Sequence, residues 1–193
     1  MERIKKSSLW TEEGYEIFAR EGLDGIQVER LARILQLNKS GFYHYFVDLE
    51  SFCEELIQLH RRKTDALLLE VLEAKNFYPD YLLLLIKYTS TVMFQVQLTR
   101  NKEQYSFYKA SEEIDRRANH AVRHLWVDYL GLNTKPEHAM RYYDFVRDMF
   151  YTRVSLRNFN FQFLHNLIAE SKALIDQIHD RLSLTQQTPL RDN

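Results

Sequence analysis

The segment Gln27–Phe46, QVERLARILQLNKSGFYHYF, decides the fold. Val28, Leu31, Ala32 and Leu35 recur at i, i+3, i+4 and i+7, the stripe of one short amphipathic helix. Gln36, Leu37 and Asn38 form a three-residue connection, and Asn38 is a good N-cap for a second short helix from Lys39 to about Phe46. Two short helices joined this way read as a helix-turn-helix unit. Leu31 and Ala32 pair a bulky residue with a small one, so the second helix can cross closely, and Leu37 plugs the space between them. Phe42 and Phe46 lie four apart and anchor the second helix inward. Lys39, Ser40, Tyr43 and His44 are left on its other faces, free to meet a DNA groove and its phosphates.

Working outward, the chain reads as all-α. Of its five glycines, Gly14, Gly22, Gly25 and Gly41 fall early and only Gly131 follows, so short helices with tight turns give way to long ones. Trp10, Gly14, Ile17, Phe18 and Glu21 share one face of a first helix, which Ser7 or Ser8 can cap and Gly22 ends. Asp48 caps a long fourth helix. A fifth is expected from Pro79 to about Leu98, and Asn101 with Gln104 looks like the cap of another segment. Ile114, Ala118, Ala121, Val122, Leu125 and Tyr129 form a stripe ending before Gly131. Thr134 and Glu137 suggest a capping box, with Pro136 in the first turn of a helix reaching about Leu156. In the last helix Phe161, Leu164, Ile168, Ser171, Ile175, Ile178 and Leu182 alternate in steps of three and four, a heptad seam suited to a dimer interface. Leu167 and Leu174 widen it, enough for both a core and a partner. The expected division is 1–48, 49–185 and a polar tail, 186–193.

Composition narrows the function classes. The 193 residues are 45% hydrophobic and carry a net charge of -1, so a core is available but no global field draws the chain onto nucleic acid. Within residues 1–63, ten Lys/Arg face eleven Asp/Glu, so the N-terminal part is near neutral. The longest apolar run, Tyr81 to Ile86, is far too short to span a bilayer. Cys53 is the one cysteine and reads as a structural thiol; with no signal peptide, a cytoplasmic location is expected. No GxSxG, P-loop, GxGxxG, HExxH or CxxC occurs, so neither enzyme nor cofactor is implied. His120 and His124 have metal-ligand spacing, but no third ligand follows and they lie opposite the Ile114 stripe, as a solvated face would. The run His60-Arg61-Arg62-Lys63 reads as the polar face of helix four.

The same residues resemble the TetR-type transcriptional regulators. The resemblance runs from about Leu9 to Leu56. It rests on Ile17-Phe18-Ala19-Arg20-Glu21-Gly22, Val28, Leu31-Ala32, Leu37, Asn38-Lys39, the stretch Phe42-Tyr43-His44-Tyr45-Phe46, then Glu50 and Phe52. It implies an N-terminal three-helix DNA-binding domain and a larger helical domain that dimerises and senses a small apolar or aromatic ligand. It also implies a homodimeric repressor on a pseudo-palindromic operator. The implied DNA contacts are Gln27, Lys39, Ser40, Gly41, Tyr43, His44 and Tyr45. Gln27 stands where the family usually has Ser or Thr, and Leu49 where it usually has Lys. Arg3, Lys5 and Lys6 resemble a basic arm for a minor groove. For the ligand, Phe94, Tyr105, Tyr108, Trp126, Tyr129, Phe145 and Phe150 either line a cavity or fill an ordinary core. A helical interaction module that kept the fold but lost sequence-specific DNA binding is the alternative.

Overall fold

The structure is a computed structural model that describes the backbone of residues 2–186 and the side chains of residues 6–174. Among the described residues it holds nine α-helices and no strand. They are α1 (Glu2–Glu21), α2 (Val28–Leu35), α3 (Lys39–Tyr45), α4 (Leu49–Glu73), α5 (Leu82–Lys87), α6 (Thr89–Arg100), α7 (Tyr105–Leu130), α8 (Pro136–Arg153) and α9 (Phe161–Gln186). No helix among the described residues is long and apolar enough to cross a membrane.

α1 packs along both α4 and α6, and it also meets α2 and α3. Its buried face holds Trp10, Gly14, Tyr15, Ile17 and Phe18. Gly14 is there because nothing larger fits: a Cβ at this position would lie 2.5 Å from the Phe52 ring of α4. Gly22 closes the helix at φ 71°, a left-handed conformation that glycine adopts without strain. α4, α6 and α7 pack on one another, α8 lies on α7, and α9 covers α5 and α8. Asp48 caps α4 as its sequence suggests: its carboxylate accepts from Ser51 N at 2.8 Å, and the Ser51 hydroxyl accepts from Asp48 N.

Several boundaries differ from the expected ones. α1 begins at Glu2, so Ser7 and Ser8 lie inside it and do not cap it. The expected helix from Pro79 is broken in two. A π-type turn, Phe77–Tyr81, leads into α5, and Tyr88 (φ -100°, ψ 36°) separates α5 from α6. Polar contacts pin that break, with the Tyr88 hydroxyl donating to Glu70 at 2.6 Å and Thr89 Oγ1 donating to the Ile86 carbonyl. Apolar periodicity runs on through both sides and cannot register it. Asn101 finishes α6 by donating from Nδ2 to the Gln97 carbonyl, and Gln104 takes the N-cap position of α7 without a side-chain bond. The Thr134–Glu137 capping box does not form. Lys135 occupies the N-cap of α8, and Glu137 accepts from Arg123 instead. α8 ends at Arg153 because Asn158 folds back, accepting from Ser155 N and donating to the Arg153 carbonyl. Asn160 then starts α9, accepting from Phe163 N at 2.9 Å.

The heptad seam of α9 is used differently from the expectation. Leu164, Ile168 and Ser171 are buried by the chain itself, as is Leu167. A three-four alternation marks a face that packs, without saying against whom, and here the neighbours are α5 and α8. Phe161 is half-buried and contacts the Tyr78 ring, while Leu174 remains exposed. Ile175, Ile178, Leu182, Arg3, Lys5 and the tail from 187 lie outside the residues whose side chains are described.

Candidate functional site

Two regions concentrate polar chemistry. The first is the outer face of α3. Its inner face is fixed by aromatic packing: the Phe42 ring lies 5.5 Å from Trp10, 5.0 Å from Phe46 and 5.1 Å from Phe52, and Phe42 has no exposed surface. Behind it, α2 ends at Gln36, which takes the left-handed cap conformation (φ 55°) so that Leu37 N returns to the Ala32 carbonyl at 2.9 Å. Asn38 sits at the N-cap of α3 in extended backbone, with no side-chain cap bond.

With Phe42 held, Lys39, Ser40, Tyr43 and His44 stand in solvent, Tyr43 with 58% of its surface free. Tyr45 is half-buried, its ring meeting those of His44 and Phe46. Gly41 passes the Trp10 ring, and Gln27 is exposed at the N-cap of α2, donating to the Asp24 carbonyl. Two cations near this face are paired within the chain. Lys39 Nζ bonds Glu29, holding that carboxyl below its usual range, and Arg30 makes a two-pronged pair with Glu21. Leu49, at the first turn of α4, is exposed.

The second region is a mainly apolar cavity of about 120 Å³ between α4, α5, α6, α7, α8 and α9, smaller than the roughly 300–1,000 Å³ of most ligand pockets. Of the aromatic residues expected to line it, only Phe150 does. Phe94 instead packs on Tyr15, Phe18 and His60, each ring centroid 4.4 Å away. Trp126 is buried against Phe77 and donates its indole N–H to the Ala139 carbonyl. Tyr105, Tyr108, Tyr129 and Phe145 lie on the exposed side of their helices.

The wall carries a buried polar chain that sequence reading missed. The Tyr15 hydroxyl lies 2.9 Å from His60 Nδ1, and His60 Nε2 lies 3.1 Å from Gln95 Oε1. Gln95 Nε2 donates to the Ser111 carbonyl and to Asp115 Oδ1 at 2.8 Å, and the Tyr151 hydroxyl donates to the same Oδ1 at 2.6 Å. Arg147 Nε stands 3.8 Å from Asp115 Oδ2, and its Nη1 bonds Asn119 and Asp144. Below, the Tyr81 and Tyr143 hydroxyls meet at 2.7 Å. Burial pushes the His60 pKa down to about 3, so the ring is neutral, and pushes Tyr81 up to about 12. Burial also raises the Asp115 carboxyl, against the Tyr151 hydrogen bond and the Arg147 charge, which both lower it.

A register signal for this chain exists in the sequence. On α4, Cys53, Ile57, His60, Thr64, Leu67 and Val71 are spaced four and three apart and all are buried, so His60 and Thr64 fall in the core stripe despite the cationic run that follows. Asp115 likewise sits three before Ala118 and seven before Val122. Arg61 pairs with Glu113, and Lys63 with Glu12. Cys53 is buried, which pushes its thiol up to about 11. His120 and His124 are exposed, and no three His, Cys, Asp or Glu side chains among the described residues are grouped to hold a metal ion.

No family model, curated protein or solved structure matches this chain.

Proposed function

We propose that the chain is a sequence-specific DNA-binding transcriptional regulator of TetR type, a homodimeric, ligand-responsive repressor acting on a pseudo-palindromic operator. One observation carries the reading: α3 is two-sided, with Phe42 locked behind it while Lys39, Ser40, Tyr43 and His44 face solvent. A helix braced from behind and polar in front suits the major groove of DNA. The resemblance carried by residues 17–22 and 27–46 supports it. In this reading residues 1–48 contact DNA, residues 49–185 dimerise and hold a ligand in the cavity, and the protein is cytoplasmic and has no enzymatic activity or cofactor.

The mechanism is a shift between two populated arrangements. α4 is one helix of 25 residues, about 37 Å long. Phe52 near its start touches Phe42 and Phe46, while Thr64, Leu67 and Val71 help form the cavity wall. A ligand that favours one position of α4 would alter the spacing of the two α3 copies, so that both no longer fit one operator. A differential affinity of a few kcal/mol is sufficient.

The test is selection of binding sites from a random duplex pool at low salt, followed by gel shifts. Recovery of a two-fold-related site is the expected result, with Lys39→Ala and Tyr43→Phe each weakening binding by about 1–3 kcal/mol per half-site. Unchanged affinity in both variants would remove α3 as the reading helix. The pairing of Lys39 with Glu29 and of Arg30 with Glu21 favours a second reading, an interaction module without sequence-specific DNA binding. Failure to recover any site at low salt would put that reading first.

A further inference from the structure

The cavity wall holds two charged side chains, Asp115 and Arg147, and the charge of Asp115 is poorly answered. Asp115 is 8% exposed. Its Oδ1 receives Gln95 Nε2 at 2.8 Å and the Tyr151 hydroxyl at 2.6 Å. Among the described residues nothing donates a hydrogen bond to its Oδ2. Arg147 brings Nε only to 3.8 Å from that oxygen, and its other nitrogens are given elsewhere: Nη1 bonds Asn119 and Asp144, and Nη2 stands 3.7 Å from Asp148. One guanidinium thus serves three carboxylates. Burial raises the Asp115 carboxyl against the Tyr151 and Gln95 hydrogen bonds and the Arg147 and Lys102 charges, so its negative charge is not fully compensated.

The other polar atoms of the wall are closed, spent or indifferent to charge. Thr64 Oγ1 and Arg147 Nε also lack hydrogen-bond partners, but both are sealed from the cavity space. Asp115 Oδ2 is without a donor and is not among the sealed atoms, so it opens on the cavity that Asp115 lines. His60 and Gln95 are used along the buried chain. Thr91 and the Tyr81–Tyr143 pair offer hydroxyls, which accept as well as donate, whereas an ionised carboxylate oxygen only accepts. A bare metal ion would lack ligands, because no three His, Cys, Asp or Glu side chains among the described residues are grouped to hold one.

We propose that the cavity takes a short primary alkylamine in its ammonium form, the nitrogen donating to Asp115 Oδ2 and the alkyl chain lying along the apolar wall of Leu67, Val71, Val92, Ile114 and Leu164. A cation answers a buried, under-compensated carboxylate better than a neutral donor does, through a charge-assisted hydrogen bond. Size sets the chain length. An apolar cavity of about 150 Å³ holds benzene, with six heavy atoms, so this one of about 120 Å³ has room for about five. The proposal rests on the reading of the cavity as the ligand site and names what that site selects. It is independent of whether the chain binds DNA.

The experiment uses the full chain at pH 7 without DNA and four probes smaller than benzene: propylammonium, 1-propanol, acetone and propionate, followed by NMR chemical-shift titration to about 10 mM, within reach of the best ligands of this size. Propylammonium is ionised at this pH, as a lysine amine of pKa about 10.4 is. It is expected to bind at least tenfold more tightly than acetone or propionate and several-fold more tightly than 1-propanol, and to move the Asp115 carboxyl carbon resonance. Asp115→Asn keeps an oxygen for the Gln95 and Tyr151 donors and puts a donor in place of Oδ2. In this variant the margin of propylammonium over 1-propanol is expected to vanish, while unchanged 1-propanol binding reports an intact cavity. If the variant does not fold, the order of the four probes and the Asp115 resonance of the natural chain decide alone. Binding of 1-propanol, acetone or propionate as tight as that of propylammonium overturns the ligand class and leaves a ligand cavity standing. Propylammonium binding that leaves the Asp115 resonance unmoved, or that is unchanged in a folded Asp115→Asn, also overturns it. Binding of none of the four overturns both the class and the cavity reading, whether or not an operator is found.

Discussion

The Nε2 of His60 points at the Oε1 of Gln95 across 3.1 Å, and this contact sets the protons along the whole buried chain. Gln95 must present its NH₂ to two acceptors, the Ser111 carbonyl and Asp115 Oδ1, so its oxygen faces His60. His60 therefore carries its proton on Nε2 and accepts the Tyr15 hydroxyl on Nδ1. Each link is directional, and the ring has no room for a second proton without losing the Tyr15 bond.

A pH dependence follows. The His60 pKa is pushed from about 6.5 in the unfolded chain down to about 3 in the fold by burial. Between those values the unfolded chain binds the extra proton, so stability is full above pH 6.5 and is lost as pH falls. The slope approaches about 1.4 kcal/mol per pH unit below 6.5. Urea unfolding from pH 7.5 to 5 is expected to show this loss, and His60→Gln to flatten it while lowering stability at pH 7.5. An equally steep profile in the variant would assign the proton elsewhere.

Gly14→Ala tests the contact between α1 and α4. Its Cβ would meet Phe52 Cζ at 2.5 Å, and Phe52 is wedged against Phe42 and Phe46. The better helix propensity of alanine offsets only about 1 kcal/mol. A net loss of about 1–3 kcal/mol is expected in urea unfolding. A variant more stable than the natural chain would mean that the ring can move aside.

On the α3 face, Glu29→Gln releases Lys39 from its ion pair. If the DNA reading holds, the variant binds the selected site more tightly at low salt, with a salt slope steeper by roughly two, one for each half-site. An unchanged slope would show that Lys39 does not reach a phosphate.

Two substitutions on α9 separate folding from association. Ile168 is buried by its own chain, so Ile168→Asp is expected to unfold the protein, by roughly 3 kcal/mol or more. Leu174 is 49% exposed, so Leu174→Asp should keep the helical circular-dichroism signal and shift sedimentation from dimer to monomer. A monomeric natural chain at micromolar concentration would end the homodimer proposal.

The short-range features were the legible ones. Val28–Leu35 and the Gln36–Asn38 connection are found where the pattern puts them, and so is the Asp48 cap, because stripe, turn and cap are all local. Breaks made by long-range bonds were not legible. Tyr88 interrupts its helix under the hold of Glu70, eighteen residues away in sequence. Aromatic content marks bulk and does not tell a core from a void, and of the seven aromatics that could serve either, only Phe150 lines the cavity. His60 was masked by three cations after it, although its spacing to Ile57 and Thr64 put it inside.

The packing of Phe94 on Tyr15, Phe18 and His60 bears on how the chain can be cut. Tyr15 and Phe18 of α1 obtain their cover from Phe94 of α6 and Phe107 of α7, and Gly14 obtains its own from Phe52 of α4. A fragment ending at Asp48 would leave all of those surfaces bare, together with the side of Phe42 that meets Phe52. The first three helices are therefore not a portable cassette. Grafted onto another scaffold or expressed alone, they would aggregate or stay unfolded, and the part of the chain proposed to meet DNA owes its shape to residues more than forty positions downstream.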